Sequence, residues 1–283
     1  WGLSFSSTKT LLSVMTPTQI AFFRLVLAVL ALGSIFFMGN YRRVTREDLF
    51  RVMAGGFFGA FLYFIFENSG LRFTTAGTGS LIISTIPVLN VIAGTLFFGE
   101  RHGAIRWLGV FLSFFGVYLI VASTGNGELS LAHLRGNLLV FLAACTWVAY
   151  TRINAPLTHK YDGLTINLYQ FTFGFVALGF LVVPAGFSPA FLTAKVILNL
   201  IYLGFFCSAA AFFLYLYALK RLGAATITSY LNLVPVFGVL GGAVLLGETL
   251  AAGQLLGGLV VILGVTLVTM SASASRKKSL AAE

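Results

Sequence analysis

Residues 74–121 read TTAGTGSLIISTIPVLNVIAGTLFFGERHGAIRWLGVFLSFFGVYLIV, and this stretch decides how the chain is built. It describes two apolar helices joined by a short charged turn, Phe98-Gly99-Glu100-Arg101. The first helix carries Pro87 in its middle and the second carries Gly109 and Gly116. The same landmarks recur 148 positions on. Pro87 returns as Pro235, Val88 as Val236, Gly94 as Gly242, Gly99-Glu100 as Gly247-Glu248, Gly109 as Gly257, and Gly116-Val117 as Gly264-Val265. Chance matches of Leu or Val are common in so apolar a chain. A mid-helix proline, a Gly-Glu turn and two helix glycines sharing one offset mark an internal repeat, which fixes the architecture before any other feature does.

The repeat extends outward over both halves. Gly56-Phe57-Phe58 returns as Gly204-Phe205-Phe206 at the same offset. Ala31-Leu32-Gly33 returns as Ala177-Leu178-Gly179, and Trp1 as Trp147, at an offset of 146. Ten apolar segments follow, near 1–14, 18–38, 48–69, 74–98, 105–123, 135–155, 164–184, 195–218, 223–246 and 252–270. Short turns separate them at Pro17, Gly39-Asn40, Gly125-Asn126-Gly127, Asp162-Gly163 and Pro184 to Pro189. The runs are continuous and lack the alternation of barrel strands. They are therefore helices, which satisfy their own backbone in lipid. The first run is shorter than the about 20 residues a span needs, so residues are expected before Trp1. No basic start followed by a short apolar run and a cleavage site is visible, so no signal peptide is expected.

The expected fold is an all-α integral membrane protein of ten transmembrane helices around a central cavity. Residues 1–123 form one five-helix unit, 135–270 a second, and 271–283 a polar tail. Five is odd, so the second unit enters the membrane from the opposite face, as an inverted repeat.

Composition agrees. The chain of 283 residues is 58% hydrophobic and 9% charged, against about 25% charged in soluble domains. The net charge of +10 raises nucleic-acid binding. The basic residues are dispersed through short loops with no basic-aromatic patch, which excludes that reading. Cys145 and Cys207 fall in apolar segments and read as small core residues.

The basic residues instead report orientation. One set of loops and the tail carries Arg42, Arg43, Arg46, Arg51, Arg101, Arg106, Arg152, Lys160, Lys220, Arg221, Arg276, Lys277 and Lys278; the other carries Arg72, Arg135 and Lys195. Both termini are thus expected in the cytoplasm.

Catalysis finds no support. His102, His133 and His159 all fall in loops, and no H-E-x-x-H pattern or intramembrane carboxylate pair occurs. No enzyme activity, cofactor or metal is expected. Of the acidic residues only Glu67 lies within a span; Glu47, Asp48, Glu100, Glu128, Asp162, Glu248 and Glu283 lie at ends or in loops. An intramembrane carboxylate is a functional candidate. Glu67 equally suits a helix-end cap or a pairing with Arg72 or Lys9. Its repeat partner is Tyr215. Lys9 and Arg24 read as snorkelling anchors near span ends, or as groups that attract a carboxylate. In the two Gly-Glu turns, Gly ends a helix and Glu suits the positive N-terminus of the next.

Pro87 and Pro235 interrupt equivalent spans, and paired interruptions point to a midplane site in transporters. With Gly94 and Gly242 they are the candidate hinges. Trp1 and Trp147 open the two halves, and an indole N–H in mid-span needs a partner or a cavity. Tyr63, Tyr150, Tyr215 and Tyr230 bring hydroxyls into the apolar zone, and Ser80, Ser84, Asn90, Gln170, Ser208 and Asn232 add neutral polar groups. The candidate substrate-binding set is Trp1, Tyr63, Glu67, Ser84, Trp147, Tyr150, Tyr215 and Tyr230, an aromatic-walled and mostly uncharged pocket.

These residues resemble the drug/metabolite transporter superfamily in its ten-span form of two EamA-type repeats. The likeness is carried by Trp1-Gly2 with Lys9 and Arg24, by Gly70-Leu71-Arg72-Phe73-Thr74 leading to Ser84-Thr85-Ile86-Pro87-Val88, and by Phe98-Gly99-Glu100-Arg101. In the second half it is carried by Ala218-Leu219, Leu233-Val234-Pro235-Val236 and Leu246-Gly247-Glu248. Among its members the chain is most similar to amino-acid exporters. The resemblance implies a bacterial inner-membrane exporter of amino acids, aromatic and other neutral ones, and related metabolites; a monomer is expected. It works by alternating access, with facilitated diffusion favoured because no chain of carboxylates or histidines crosses the membrane. A multidrug exporter of lipophilic cations, proton-coupled through Glu67, is the alternative.

Overall fold

The computed structural model describes residues 1–123, 131–186, 193–224, 227 and 230–280. Gly125-Asn126-Gly127, Glu128, Pro189, Glu283 and the Asn232 side chain lie outside the described residues. Among the described residues the main helical segments are, in order, α1 (Ser4–Leu11), α2 (Pro17–Met38), α3 (Arg46–Leu71), α4 (Ala76–Phe98), α5 (Ala104–Ala122), α6 (Leu131–Leu157), α7 (Gly163–Ala185), α8 (Ala194–Leu222), α9 (Val234–Leu246) and α10 (Ala252–Leu280). Among the described residues, eight of these are long and apolar enough to cross a membrane. α10 runs on as helix through most of the stretch read from sequence as a tail.

The starts and stops follow local chemistry. Thr16 caps α2 through a capping box with Gln19, and Pro17 opens the helix where its missing N–H costs nothing. Gly99 and Gly247 end α4 and α9 in the left-handed region, with φ of 64° and 65°, which glycine enters without strain.

α4 is broken at Ser84–Thr85 into Ala76–Ile83 and Ile86–Phe98. α9 follows a 3-10 turn over Leu231–Leu233. Pro87 and Pro235 each stand in the first turn of the segment after the break, where proline is tolerated. The two prolines therefore start helices and do not kink continuous ones.

The packing is two-fold. α2 lies on α7, α5 on α10, and the first half of α4 on α9, each helix against its own repeat partner. Exchanging the halves turns α3 on α6 into α8 on α1, α3 on α7 into α8 on α2, and α4 on α6 into α9 on α1, and all of these occur. The α5–α10 seam shows the sense of the symmetry. A Cβ on Gly109 would lie 2.5 Å from the Gly264 carbonyl, and one on Gly116 would lie 2.6 Å from that of Gly257. Only glycine permits so close a backbone approach. The lower-numbered glycine meets the higher one each time, so these equivalent helices run antiparallel. The two-fold axis is then perpendicular to them, and the repeat is inverted.

Phe37, Met38, Phe50, Phe97, Phe180 and Val244 are among the large apolar side chains left exposed. In water they would be a liability; in lipid they need no cover.

One feature was invisible in the sequence. α3 winds as π-helix over Phe57–Leu62 and α8 over Tyr202–Ala210. Phe57 and Leu62 map onto Phe205 and Ala210, so the wider winding occurs at equivalent places. Such bulges frequently mark functional sites.

Candidate functional site

The two tryptophans related by the repeat meet. Trp1 and Trp147 have ring centroids 5.2 Å apart in an edge-to-face arrangement. Trp147, on α6 and 3% exposed, is the hub. Tyr63 of α3 lies 5.0 Å from it, and Tyr150, Phe212 and Tyr215 each lie 5.1 Å from it. Aromatic pairs in this range add about 0.5–1.5 kcal/mol each beyond burial.

Their polar atoms are satisfied. Trp1 Nε1–H donates to the Cys207 carbonyl at 2.6 Å, within the π-helical winding of α8. Trp147 Nε1–H donates to the Tyr215 hydroxyl, Tyr215 bonds Thr151 at 2.7 Å, and Thr151 donates to the Trp147 carbonyl. Tyr150 donates to Asn167.

At the centre the structure departs from expectation. Trp1, Phe5, Tyr63, Ile83, Ile86, Trp147, Leu231 and Val234 enclose a void of about 20 Å3. That holds one water at most. Among the described residues the expected central cavity is reduced to this void, because the aromatic rings fill the space with one another. Both breaks flank the void: Ile83 and Ile86 bracket Ser84–Thr85, and Leu231 opens the 3-10 turn that Val234 follows.

The remaining candidates divide. Ser84 turns its hydroxyl back to the Leu81 carbonyl and does not line the void. Tyr230 is 61% exposed and apart from the cluster. Gly94 and Gly242 leave room for the carboxylates of Glu100 and Glu248 to fold back against them. The sequence reading missed Phe64 and Phe212, which pack 5.9 Å apart. They too are related by the 148-residue offset, which was the available signal.

Glu67 is buried against neither Arg72 nor Lys9. Its Oε1 accepts from the Tyr63 hydroxyl at 2.9 Å, and its Oε2 lies 3.8 Å from Arg24 Nη1. Arg24, 1% exposed, does not snorkel. Its Nε donates to Ser208, and its guanidinium sits 4.0 Å over the Phe64 ring. The equivalent positions in the second half are Gln170 and Tyr215, so the half-one pair is charged and the half-two pair neutral. Lys9 donates to the carbonyls of Leu71 and Thr74 at 2.8 and 2.5 Å, capping the C-terminus of α3.

The two Gly-Glu turns do not begin the helices that follow them. Glu248 reaches across to the first turn of α4 and accepts from Ala76 N and Gly77 N at 2.8 and 3.1 Å. Thr74 donates to Asn137 beside it. Glu100 accepts from Arg152 Nη1 at 2.6 Å, and Arg152 also donates to the side chain and backbone of Asn90. Here a cavity of about 250 Å3 opens, lined by Pro87, Asn90, Val91, Glu100, His102, Arg106, Arg152, Ala224, Val268 and Thr269. The Arg152 hydrogen bond holds the Glu100 carboxyl below the ordinary carboxylate range. Burial, reinforced by Arg106, holds His102 below its usual value, which keeps the imidazole neutral near pH 7.

Comparison with known proteins identifies the class. The EamA-like transporter family matches residues 1–122 and again 134–270; the chain belongs to that family and is a multi-pass membrane transporter. It is 28% identical over 95% of its length to an uncharacterized transporter of Archaeoglobus fulgidus, covering 94% of that protein. It is 29% identical over 99% of its length to a probable terminal-alkyne amino-acid exporter of Streptantibioticus cattleyicolor, covering 93% of it. A crystal structure at 16% identity shares the fold, with a TM-score of 0.67 over 94% of this chain and 96% of the other.

Proposed function

We propose that this chain exports amino acids, aromatic and other neutral ones, and related metabolites by alternating access in a bacterial plasma membrane. The observation that carries this reading is the meeting of Trp1 and Trp147, with Tyr63, Tyr150 and Tyr215 around them. In the open state these rings would wall the substrate, and their hydroxyls would orient its charged groups. The similarity to a probable amino-acid exporter supports the substrate class. The excess of arginine and lysine at the Glu100 end supports a cytoplasmic placing of that end and of both termini.

Opening would rock one five-helix half against the other, with the breaks at Ser84–Thr85 and Leu231–Leu233 as hinges and Pro87 and Pro235 fixing where helix resumes. Gly94 and Gly242 give the flanking turns room to move. The transport mode that fits best is uniport by a monomer, because the buried carboxylate, Glu67, already faces a guanidinium and a tyrosine hydroxyl. The same pairing weighs against a lipophilic-cation exporter, which needs an uncompensated anion in its aromatic cage.

Counterflow in liposomes tests the proposal. Vesicles preloaded with phenylalanine should accumulate tritiated phenylalanine whether or not a pH gradient is imposed. Trp147→Ala should slow this about tenfold or more, the loss of roughly one well-packed aromatic contact in the bound state. Absence of counterflow across the amino acids would sink the reading. Collapse of flux on removing the pH gradient would replace uniport with antiport. Glu67→Gln abolishing resistance to lipophilic cations would favour the cation exporter.

A further inference from the structure

The cavity at the Glu100 end has a charge pattern that the aromatic core does not use. Arg106 and Arg152 bring two guanidiniums, Glu100 one carboxylate, and His102 an imidazole that accepts from Arg106 at its Nδ1. Three donors there are buried without a partner, Asn90 Nδ2, Arg106 Nε and His102 Nε2, the last carrying the imidazole proton because Nδ1 accepts. Asn90 is 4% exposed. Its amide orientation is fixed, because Arg152 Nε donates to its Oδ1, so the free group is a donor. A buried donor left unsatisfied is costly, which makes this an incomplete site.

The complement is definable. A ligand must offer an anion to Asn90 Nδ2 and Arg106 Nε, and a cation to Glu100 Oε2, which lies 3.5 Å from His102 Nε2. A phosphate would meet the Glu100 carboxylate, and a simple cation would meet two guanidiniums. A zwitterion satisfies both signs. The space, about 250 Å3, lies just below the range of drug-sized pockets, which suits a single small metabolite. Asn90 is one helical turn from Ile86 on α4, about 6 Å along the axis, so the cavity adjoins the closed aromatic void.

We propose that this cavity is a loading site that grips the α-carboxylate and α-ammonium of an amino acid before it passes to the aromatic core. It rests on the amino-acid reading above. Asn90 and Arg106 hold the carboxylate, Glu100 the ammonium, and Arg152 links the site to α6, five residues beyond Trp147. A zwitterionic phosphatidylethanolamine headgroup shares this chemistry, and the test separates the two.

The full-length protein is placed in nanodiscs of phosphatidylglycerol alone, or with phosphatidylethanolamine, and titrated with tritiated phenylalanine. Two components are expected. Arg106→Gln, Arg106→Lys and Asn90→Leu each weaken one by about tenfold, the worth of a hydrogen bond to a charged group, and leave the other. Lysine fails because it lacks the Nε–H. Trp147→Ala weakens the other component. Phenylalanine methyl ester and 3-phenylpropionate, each missing one charge, compete about tenfold less well for the Arg106-dependent component. Variants are compared only where melting and gel-filtration profiles match the parent protein.

One component, insensitive to Arg106 and Asn90 but lost in Trp147→Ala, would overturn the loading site and leave the exporter intact. Loss of the Arg106-dependent component whenever phosphatidylethanolamine is present would assign the cavity to lipid and overturn it also. No binding and no counterflow of any amino acid would remove both proposals.

Discussion

Glu248 directs both carboxylate oxygens to the backbone N–H groups of Ala76 and Gly77, whereas Glu100, its partner in the repeat, pairs with the Arg152 side chain. The first arrangement joins α4 to the α9–α10 turn, so it ties the two halves together. Lys9 and the Thr74–Asn137 bond close the same end. At the other end the carboxylate faces a cavity of about 250 Å3. A backbone built twice thus carries one end tied by bonds to fixed backbone groups and one end with a vestibule, and the difference lies in which group receives the glutamate. Helix amides are fixed; a guanidinium on a long side chain can be taken over by another anion. At these two ends the asymmetry is written in which group each glutamate meets.

The largest effect should come from removing the seal. Glu248→Ala leaves the backbone N–H groups of buried Ala76 and Gly77, in the first turn of α4, without this acceptor. Hydrogen bonds to a charged group contribute about 1.5–3 kcal/mol each, and a shift in population follows from the same energy. Labelling of Thr78→Cys by a membrane-impermeant maleimide should rise at least several-fold in Glu248→Ala. An unchanged labelling rate, with the protein folded, would mean that Glu248 does not hold this end shut.

The open end should respond less. Arg152→Ala removes the bonds to Glu100 and Asn90. Glu100 is 40% exposed, so solvent screens the pair and about 1 kcal/mol is the expected cost. Adding Glu100→Ala should recover most of it, because the lone carboxylate is then gone. Equal and additive losses in the double-mutant cycle would show that the two residues act independently.

Much of this was legible in the sequence. Landmarks that only a few residue types can supply, Pro87 and Pro235, Gly109 and Gly257, survived the noise of an apolar chain and gave the inverted repeat. The same offset joined Trp1 to Trp147. Phe64 and Phe212 escaped because a phenylalanine among 29 carries no mark unless every repeat pair is checked. The fate of Arg24 depended on Ser208, far away in the chain, and on Phe64, and no local pattern announces such a partner. Tyr230 lies exposed and outside the cluster, a position the sequence does not announce because the phase of a broken helix cannot be carried across the break. The π-helical windings of α3 and α8 have no residue signature at all.

Acidity probes the open end most gently. His102 sits below its ordinary value, so the unfolded chain takes up that proton first as pH falls. The stability it contributes is complete above about pH 6.5, the usual histidine value, and is lost below it. Glu100 is likewise lowered, so its contribution is complete above the normal carboxylate range and is lost only as pH drops through its own depressed value. Thermal melting in detergent from pH 7.5 to 5.5 should therefore show a small decline that His102→Gln abolishes and Glu100→Gln does not. Below pH 4.5 the gap between the parent protein and Glu100→Gln should narrow. A decline from pH 7.5 to 5.5 that survives in His102→Gln would place the sensitive proton elsewhere and leave the vestibule without a titrating group in the physiological range.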